Sequence, residues 1–306
     1  MKITYSPVTS DGWNPALELL FQNLPEILRV FQTEDWMRKS LEGEFDLSGL
    51  WGAFCDGKLV GTIFFLLQTD HSALVWAPQC VPEAEKEVAM ELIRIVNRKL
   101  DKAGVSLAQA LLELREESEI ALMVENGYQY LADLIYMECD VSVLTEQARI
   151  TPLQQIPYNE SENHARFVEV MERTYRDTLD CPRIQGLRTP DETLHSHKTS
   201  GKFHPDRWNL YTDNTDDFGL MLLTDHPEQN AWELVYMGLV PEARGRGLGL
   251  QMVQDAIQKT KEAGRKTLLV AVDKANRFAR KVYKSASFQE IALRRVLMRT
   301  VEKTVE

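Results

Sequence analysis

The chain repeats itself. Lys102-Ala103-Gly104 and Glu262-Ala263-Gly264 lie 160 positions apart, and the same offset aligns Tyr128 with Phe288. It also aligns the apolar run Leu107–Leu112 with Thr267–Val272, and Ala73–Val81 with Glu233–Pro241. A repeat of this length is a whole domain rather than a solenoid unit, and 306 residues are enough for two cores. From the aligned strands onward each half is expected to run strand, helix, strand, helix, strand. Each is preceded by a helix-rich start and a strand pair: Leu50–Asp56 with Leu59–Leu67, and Trp208–Thr212 with Phe218–Thr224. Pro152 and Pro157 among polar residues mark Glu146–Asn159 as a linker. The expected organisation is therefore a domain over residues 1–145, a linker over 146–159, and a second α/β domain over 160–306.

The second half contains Val240-Pro241-Glu242-Ala243-Arg244-Gly245-Arg246-Gly247-Leu248-Gly249. A strand-like run, Trp232 to Val240, precedes it. Leu250, Val253 and Ile257 follow at helical spacing. A glycine-rich turn feeding a helix points successive backbone N–H groups at one place, and the positive end of the helix dipole adds to them. Arg244 and Arg246 add charges suited to phosphate oxygens. The alternative is a tight turn with solvated arginines. The spacing is neither a P-loop nor a dinucleotide fingerprint, since no Gly-Lys-Ser/Thr occurs and the glycines alternate.

The run does fit Arg/Gln-x-x-Gly-x-Gly/Ala, the acyl-coenzyme A signature of the GNAT N-acetyltransferase superfamily, which this chain resembles. After the next strand, Asn276-Arg277-Phe278-Ala279-Arg280-Lys281-Val282-Tyr283 and Ser287-Phe288 are similar to the family's Asn-x-x-Ala-x-x-x-Tyr-x-x-x-Gly-Phe. Ser287 departs from the usual Gly, at a helix end where a left-handed cap favours glycine. The resemblance implies an α/β (α+β) chain of two tandem GNAT-like domains, each a mixed, mostly antiparallel sheet that splays at its centre between helices. It implies acetyl-coenzyme A as cosubstrate, no metal, and direct attack of a primary amine, on a small molecule or peptide, on the thioester. The two-lobed layout also resembles mycothiol synthases, which acetylate an amino group on a cysteinyl sugar. A coenzyme A-binding regulatory module without turnover is the reading from another class.

Carried onto this sequence, the resemblance assigns the coenzyme to Met237, Leu239 and Val240, to Arg244, Gly245, Arg246, Gly247, Leu248 and Gly249, and to Asn276 and Arg280. A backbone N–H near Leu239 would stabilise the oxyanion, and Tyr283 would give the leaving thiolate its proton. Asn276 is equally suited to capping a helix. Glu233 stands thirteen residues before Arg246, the offset of the base in the histone-acetyltransferase branch; a water chain is the alternative route for the proton. Desolvation in a half-buried strand would raise a glutamate's pKa towards a useful value. The long segment Tyr175–Trp208 is expected to cover the acceptor, with Asp180, Arg188, His204 and Trp208 as substrate residues. His195, His197 and His204 lack partners at metal-ligand spacing, and direct transfer requires no nucleophile such as Cys181.

The amino-terminal copy supplies a control. Arg244 aligns with Ala84, Arg246 with Lys86, Gly247 with Glu87, Gly249 with Ala89, Asn276 with Glu116, Tyr283 with Met123 and Glu233 with Ala73. Glu85 and Glu87 would stand where phosphates must sit, and like charges a few ångströms apart repel. This copy is expected to bind no coenzyme A and to form part of the substrate cleft or a dimer surface.

Composition narrows the remaining classes. The net charge of −11 is uneven: residues 1–145 carry −12 and residues 146–306 carry +1. Without a basic face, nucleic acid is not an expected partner. The acidic half would steer a cationic amine, unless it is simply a solvated surface. Cys55, Cys80, Cys139 and Cys181 are scattered, which suits reduced thiols in a cytoplasm. No secretory signal opens the chain, and the apolar stretch around Leu59–Leu67 is too short to span a bilayer. A cytoplasmic enzyme, monomeric or homodimeric and without a membrane partner, is the expectation.

Overall fold

A computed structural model describes residues 2–68, 70–84, 86–144, 153–213 and 216–300. The chain divides into two units by contacts. One takes the chain up to Leu131 together with residues from Arg295 on; the other is Ala132–Arg294.

The first unit contains β1 (Ile3–Pro7), α1 (Trp13–Leu20), α2 (Glu26–Leu41), β2 (Leu50–Cys55), β3 (Lys58–Leu67), β4 (Ser72–Cys80), α3 (Lys86–Lys102), β5 (Leu107–Glu113), α4 (Glu117–Glu125) and the start of β6 (Gln129–Asp140). Strands β1 to β5 lie side by side in chain order, with β4 and β5 parallel and the rest antiparallel. Helix α3 shows why the sequence reads as amphipathic. Its buried residues, Val88, Ala89, Leu92, Ile93, Val96 and Leu100, recur every three to four positions.

The second unit holds the rest of β6, then β7 (Gln154–Pro157), α5 (His164–Tyr175), α6 (Pro190–His197), β8 (Trp208–Thr212), β9 (Asp217–His226), β10 (Ala231–Leu239), α7 (Leu248–Glu262), β11 (Thr267–Asp273), α8 (Arg277–Ser285) and the start of β12 (Gln289–Thr300). Its strand order is β7-β8-β9-β10-β11-β6, with β10 and β11 parallel. Both units are thus mixed, mostly antiparallel open sheets flanked by helices.

The repeat appears in the backbone. Both Gly104 and Gly264 take φ near +70°, ending α3 and α7 with the left-handed stop that glycine adopts at least cost. The same offset pairs Gly127 (φ 94°) with Ser287 (φ 68°), so Ser287 does occupy the left-handed cap.

Two boundaries differ from the sequence expectation. Gln154–Pro157 is not linker but an edge strand paired with β8; its one proline, Pro157, is tolerated because an edge strand needs fewer N–H donors. Residues 145–152 lie outside the described residues. The closing strands also depart from the sequential halves: Leu134–Asp140 of β6 pairs antiparallel with β11 in the second unit, while β12 beyond Arg294 belongs to the first. A strand pairs through backbone groups common to every sequence, so its apolar alternation sets which face is buried without naming its neighbour.

Candidate active site

The centre of the second unit is a parted sheet. β10 pairs with β11 only from Ala231↔Thr267 to Leu234↔Val270, although β10 continues to Leu239 and β11 to Asp273. A bulge marks the parting. The β10–β9 register slips between Leu234 and Tyr236, leaving Val235 as the extra residue. Val240 N–H donates to Phe218 C=O at 3.0 Å. By strand alternation, the N–H groups of Leu239 and Met237 then face the open edge.

The glycine turn follows β10 directly. Gly245 (φ 75°) and Gly247 (φ 79°) are left-handed, and an added Cβ on either would meet nothing within 4 Å. Backbone conformation, not crowding, requires glycine here. Gly249 has ordinary φ; a Cβ there would reach Leu239 Cδ1 at 3.6 Å, so alanine would also fit. None of the N–H groups from Gly245 to Gly249 donates to a protein acceptor among the described residues, and Gly247 caps α7. Five consecutive open donors at a helix start are chemically suited to an anion.

The two arginines separate. Arg246 is exposed and makes no hydrogen bond or ion pair among the described residues. Arg244 is instead bound into the fold. Nε donates to Leu239 C=O at 3.1 Å, Nη2 to Thr174 C=O at 2.9 Å and Nη1 to Asp177 C=O at 3.2 Å. The expected phosphate contact by its side chain is corrected: this guanidinium ties the end of α5 to the end of β10.

Beyond the splay, Asn276 Oδ1 accepts from Ala279 N–H at 3.1 Å, capping α8 and leaving its side-chain NH2 without a protein partner among the described residues. Arg280 donates to Lys274 C=O at 3.0 Å and approaches Glu290 at 3.5 Å. Tyr283, on α8, is buried, yet its hydroxyl makes no hydrogen bond among the described residues. Burial, and then the Asp180 carboxylate, push this hydroxyl's pKa far above the usual tyrosine value.

Asp180 and its surroundings come together here. Asp180 Oδ1 accepts from Asp273 N–H at 3.2 Å, and Asp273 Oδ2 accepts from Cys181 N–H at 3.1 Å. Part of Asp180 reaches solvent, while its carboxyl is crowded by protein. This crowding, and then Asp273's opposing carboxylate, raise its pKa, although the Asp273 N–H works in the other direction. Tyr236 joins the group, bonded through its hydroxyl to Thr174 Oγ1 at 2.7 Å, with the Tyr175 ring 6.2 Å away and perpendicular. Gly238 lets α5 approach: a Cβ there would stand 2.8 Å from Thr174 Cβ. Arg188 is close enough for its charge to act on Tyr175. Sequence reasoning missed Tyr236, Tyr175 and Asp273; only the bulge and the parting of the strands could signal them.

Three assignments stand elsewhere. Trp208 is fully buried, its ring 4.7 Å from Phe203 and 5.3 Å from Tyr158, so it is a core residue and not a substrate contact. His204 caps the short turn before β8 and lines a surface cavity with Arg207, Trp232, Lys259 and Glu262. Glu262 ends the fifteen-residue α7, about 22 Å from the glycine turn at 1.5 Å per residue. His204 is therefore remote from the glycine turn. Glu233 lies where β10 still has neighbours on both sides, and its Oε2 meets His226 Nε2 at 2.9 Å. That partner raises the His226 pKa above its usual value. No cluster of His, Cys, Asp and Glu suited to a metal occurs among the described residues, and none of their helices is long and apolar enough to cross a membrane.

The comparable position in the first unit has no left-handed residue among residues 82–84 and 86–90. α3 starts two residues earlier than its counterpart and takes Glu87 into its first turn; Glu85 lies outside the described residues. Met123, aligned with Tyr283, is packed in the core.

Residues 171–288 match the model of the acetyltransferase (GNAT) family. Over this segment the chain is similar to a GNAT acetyltransferase domain. No curated protein matches the chain by sequence. Among solved structures, a GCN5-related N-acetyltransferase from Sphaerobacter thermophilus is similar at a TM-score of 0.67 and 16% identity, covering 97% of this chain and 95% of that one. A tandem GNAT protein from the clavulanic acid biosynthesis pathway is similar at 0.52 and 13%, over 98% of both chains. A glucosamine N-acetyltransferase region of a fungal multi-domain GH3 β-N-acetylglucosaminidase gives 0.64 and 13%, over 97% of this chain and 38% of that one. These likenesses establish the tandem GNAT fold.

Proposed function

We propose that the second unit transfers an acetyl group from acetyl-coenzyme A to a primary amine, with one working site per chain. The observation that carries this reading is the run of five open N–H donors from Gly245 to Gly249, placed at the end of the parted strand β10. A pyrophosphate would take those donors, with Arg246 adding its charge. The pantetheine arm would run along the open edge of β10 towards the Asn276 amide. The thioester oxygen would be met by a backbone N–H at Met237 or Leu239, which need not reorganise as negative charge develops. Tyr283, whose hydroxyl makes no hydrogen bond among the described residues, would protonate the leaving sulfur. A tyrosine hydroxyl is already protonated at neutral pH, and burial holds Tyr283 in that form until the leaving thiolate forms beside it. The first unit, with Glu87 in the turn position and Met123 in the tyrosine position, would hold no coenzyme.

The test is coenzyme A-dependent thermal stabilisation, with thiol release from acetyl-coenzyme A against polyamines, amino sugars, amino acids, peptides and aminoglycosides. Tyr283→Phe should leave coenzyme affinity intact and slow release. Unchanged release with every accepted amine would remove the acid assignment. Stabilisation without release for any amine would favour the coenzyme-binding module.

A further inference from the structure

Acetyl transfer as proposed leaves one proton without a receiver. An alkyl ammonium of pKa about 10.4 has no lone pair until it is deprotonated. Among the described residues, the carboxylate whose charge acts on the Tyr283 hydroxyl is Asp180. It also acts on Tyr175 and Tyr236. The loop carrying it is fixed to the last residue of β11 by the two Asp180–Asp273 and Cys181–Asp273 bonds. Cys181 there holds φ 42°, ψ 54°. A non-glycine residue in that region is strained, so the loop keeps its shape through these contacts. Asp180 Oδ2 accepts no hydrogen bond among the described residues. The Tyr236 hydroxyl is bonded to Thr174, and the Tyr175 ring stands perpendicular to the Tyr236 ring at 6.2 Å, an aromatic pair whose faces suit a cation.

Resting on the acetyl-transfer reading, we infer that Asp180 binds the acceptor as a primary ammonium and removes its proton. Asp180 takes one proton from R–NH3+, leaving R–NH2. The nitrogen lone pair forms the C–N bond at the thioester carbon, and the carbonyl π pair moves onto oxygen. As the carbonyl re-forms, the C–S bond breaks and the thiolate takes the Tyr283 proton. The surplus proton on nitrogen returns to the Tyr283 phenolate, and the proton on Asp180 leaves through its solvent side. One ammonium and one acetyl-coenzyme A thereby give one amide, one thiol and one proton. Glu233 is less suited, since it faces His226 where the sheet is still closed.

The full chain would be assayed for thiol release with n-butylamine, putrescine and glucosamine, and with n-butanol as the neutral control. Calorimetry would follow coenzyme A in parallel. Asp180→Asn should keep coenzyme affinity within two-fold and lower kcat/KM for the amines about 100-fold. It should also abolish the acid limb of the wild-type pH profile, and Asp180→Glu should restore part of the rate. The groups facing that titration are Asp273, Cys181, Tyr175, Tyr236 and Tyr283, with Arg188 and Arg244 beyond the tyrosines. An Asp180→Asn rate within three-fold of wild type overturns the inference. So does a wild type that binds coenzyme but acetylates none of the amines. A wild type that binds no coenzyme A overturns the acetyl-transfer reading itself, and this inference with it.

Discussion

Arg244 and Arg246 are two residues apart in one glycine turn and carry the same charge, and the structure separates them. Arg244→Ala removes three hydrogen bonds from a charged donor, two of them part-buried at Leu239 and Thr174 and one exposed at Asp177. Hydrogen bonds to charged groups contribute about 1.5–3 kcal/mol each when shielded from water, and the exposed one contributes little. The two shielded bonds give a loss of roughly 3–4 kcal/mol, since the stranded carbonyls regain some water. A unit of this size shifts its Tm by about 2–4 °C per kcal/mol, so the expected fall is roughly 6–16 °C. Arg246→Ala removes an exposed side chain with no partner among the described residues, and its Tm should move by less than about 2 °C. Its effect falls on the ligand: losing one charge-assisted phosphate contact should weaken coenzyme A by about ten-fold, or 1.4 kcal/mol. Thermal unfolding without ligand and calorimetric titration with coenzyme A read the two effects separately. If Arg244→Ala melts within 2 °C of wild type while its coenzyme affinity falls ten-fold, Arg244 is a phosphate ligand and its carbonyl contacts carry no weight.

Three further outcomes follow from the same geometry. Ser287→Gly, at φ 68°, should raise the Tm by about 2–4 °C by relieving roughly 1 kcal/mol of left-handed strain; a lower Tm would refute the cap. Gly247→Ala, at φ 79° in open space, should cost about 1 kcal/mol of stability yet weaken coenzyme A more than that, by distorting the row of donors; an unchanged Kd would show that the turn holds no anion. Glu233 raises the His226 pKa, so its stabilisation is fully present below the ordinary histidine value of about 6.5 and is lost as pH rises through the folded value. Glu233→Gln should therefore lower the Tm more at pH 6 than at pH 9, with little change in thiol release; a ten-fold loss of release at pH 8 with an unchanged Tm would make Glu233 the base.

How far these residues could be read in advance depended on whether their roles are local. The glycine turn, the left-handed Ser287 and the stops at Gly104 and Gly264 were legible because each expresses a backbone preference within a few residues. The splay was expected only through the family resemblance; its site, a single bulge at Val235, leaves no pattern in the sequence. Trp208 and His204 sit in the same stretch and looked equally suited to a substrate, yet one is core and the other faces a remote cavity. Side-chain direction at an element's edge follows from what packs against it, which periodicity cannot report. Asp180 was legible as a carboxylate in a long connection, but its pairing with Asp273 joins residues 93 positions apart.

By itself, the sequence determined that the chain holds two copies of one α/β design and that only the second keeps the glycine turn, the capping asparagine and the tyrosine. These are properties of residue type and spacing, and they survive whatever the copies pack against. The tertiary structure decided which strands close each sheet, which of two arginines is open to a ligand, and which carboxylate stands by Tyr283. Each of those depends on contacts between residues distant in sequence. Backbone pairing is common to all strands, and a guanidinium bonds equally well to a phosphate or to three carbonyls, so only the folded arrangement selects among them.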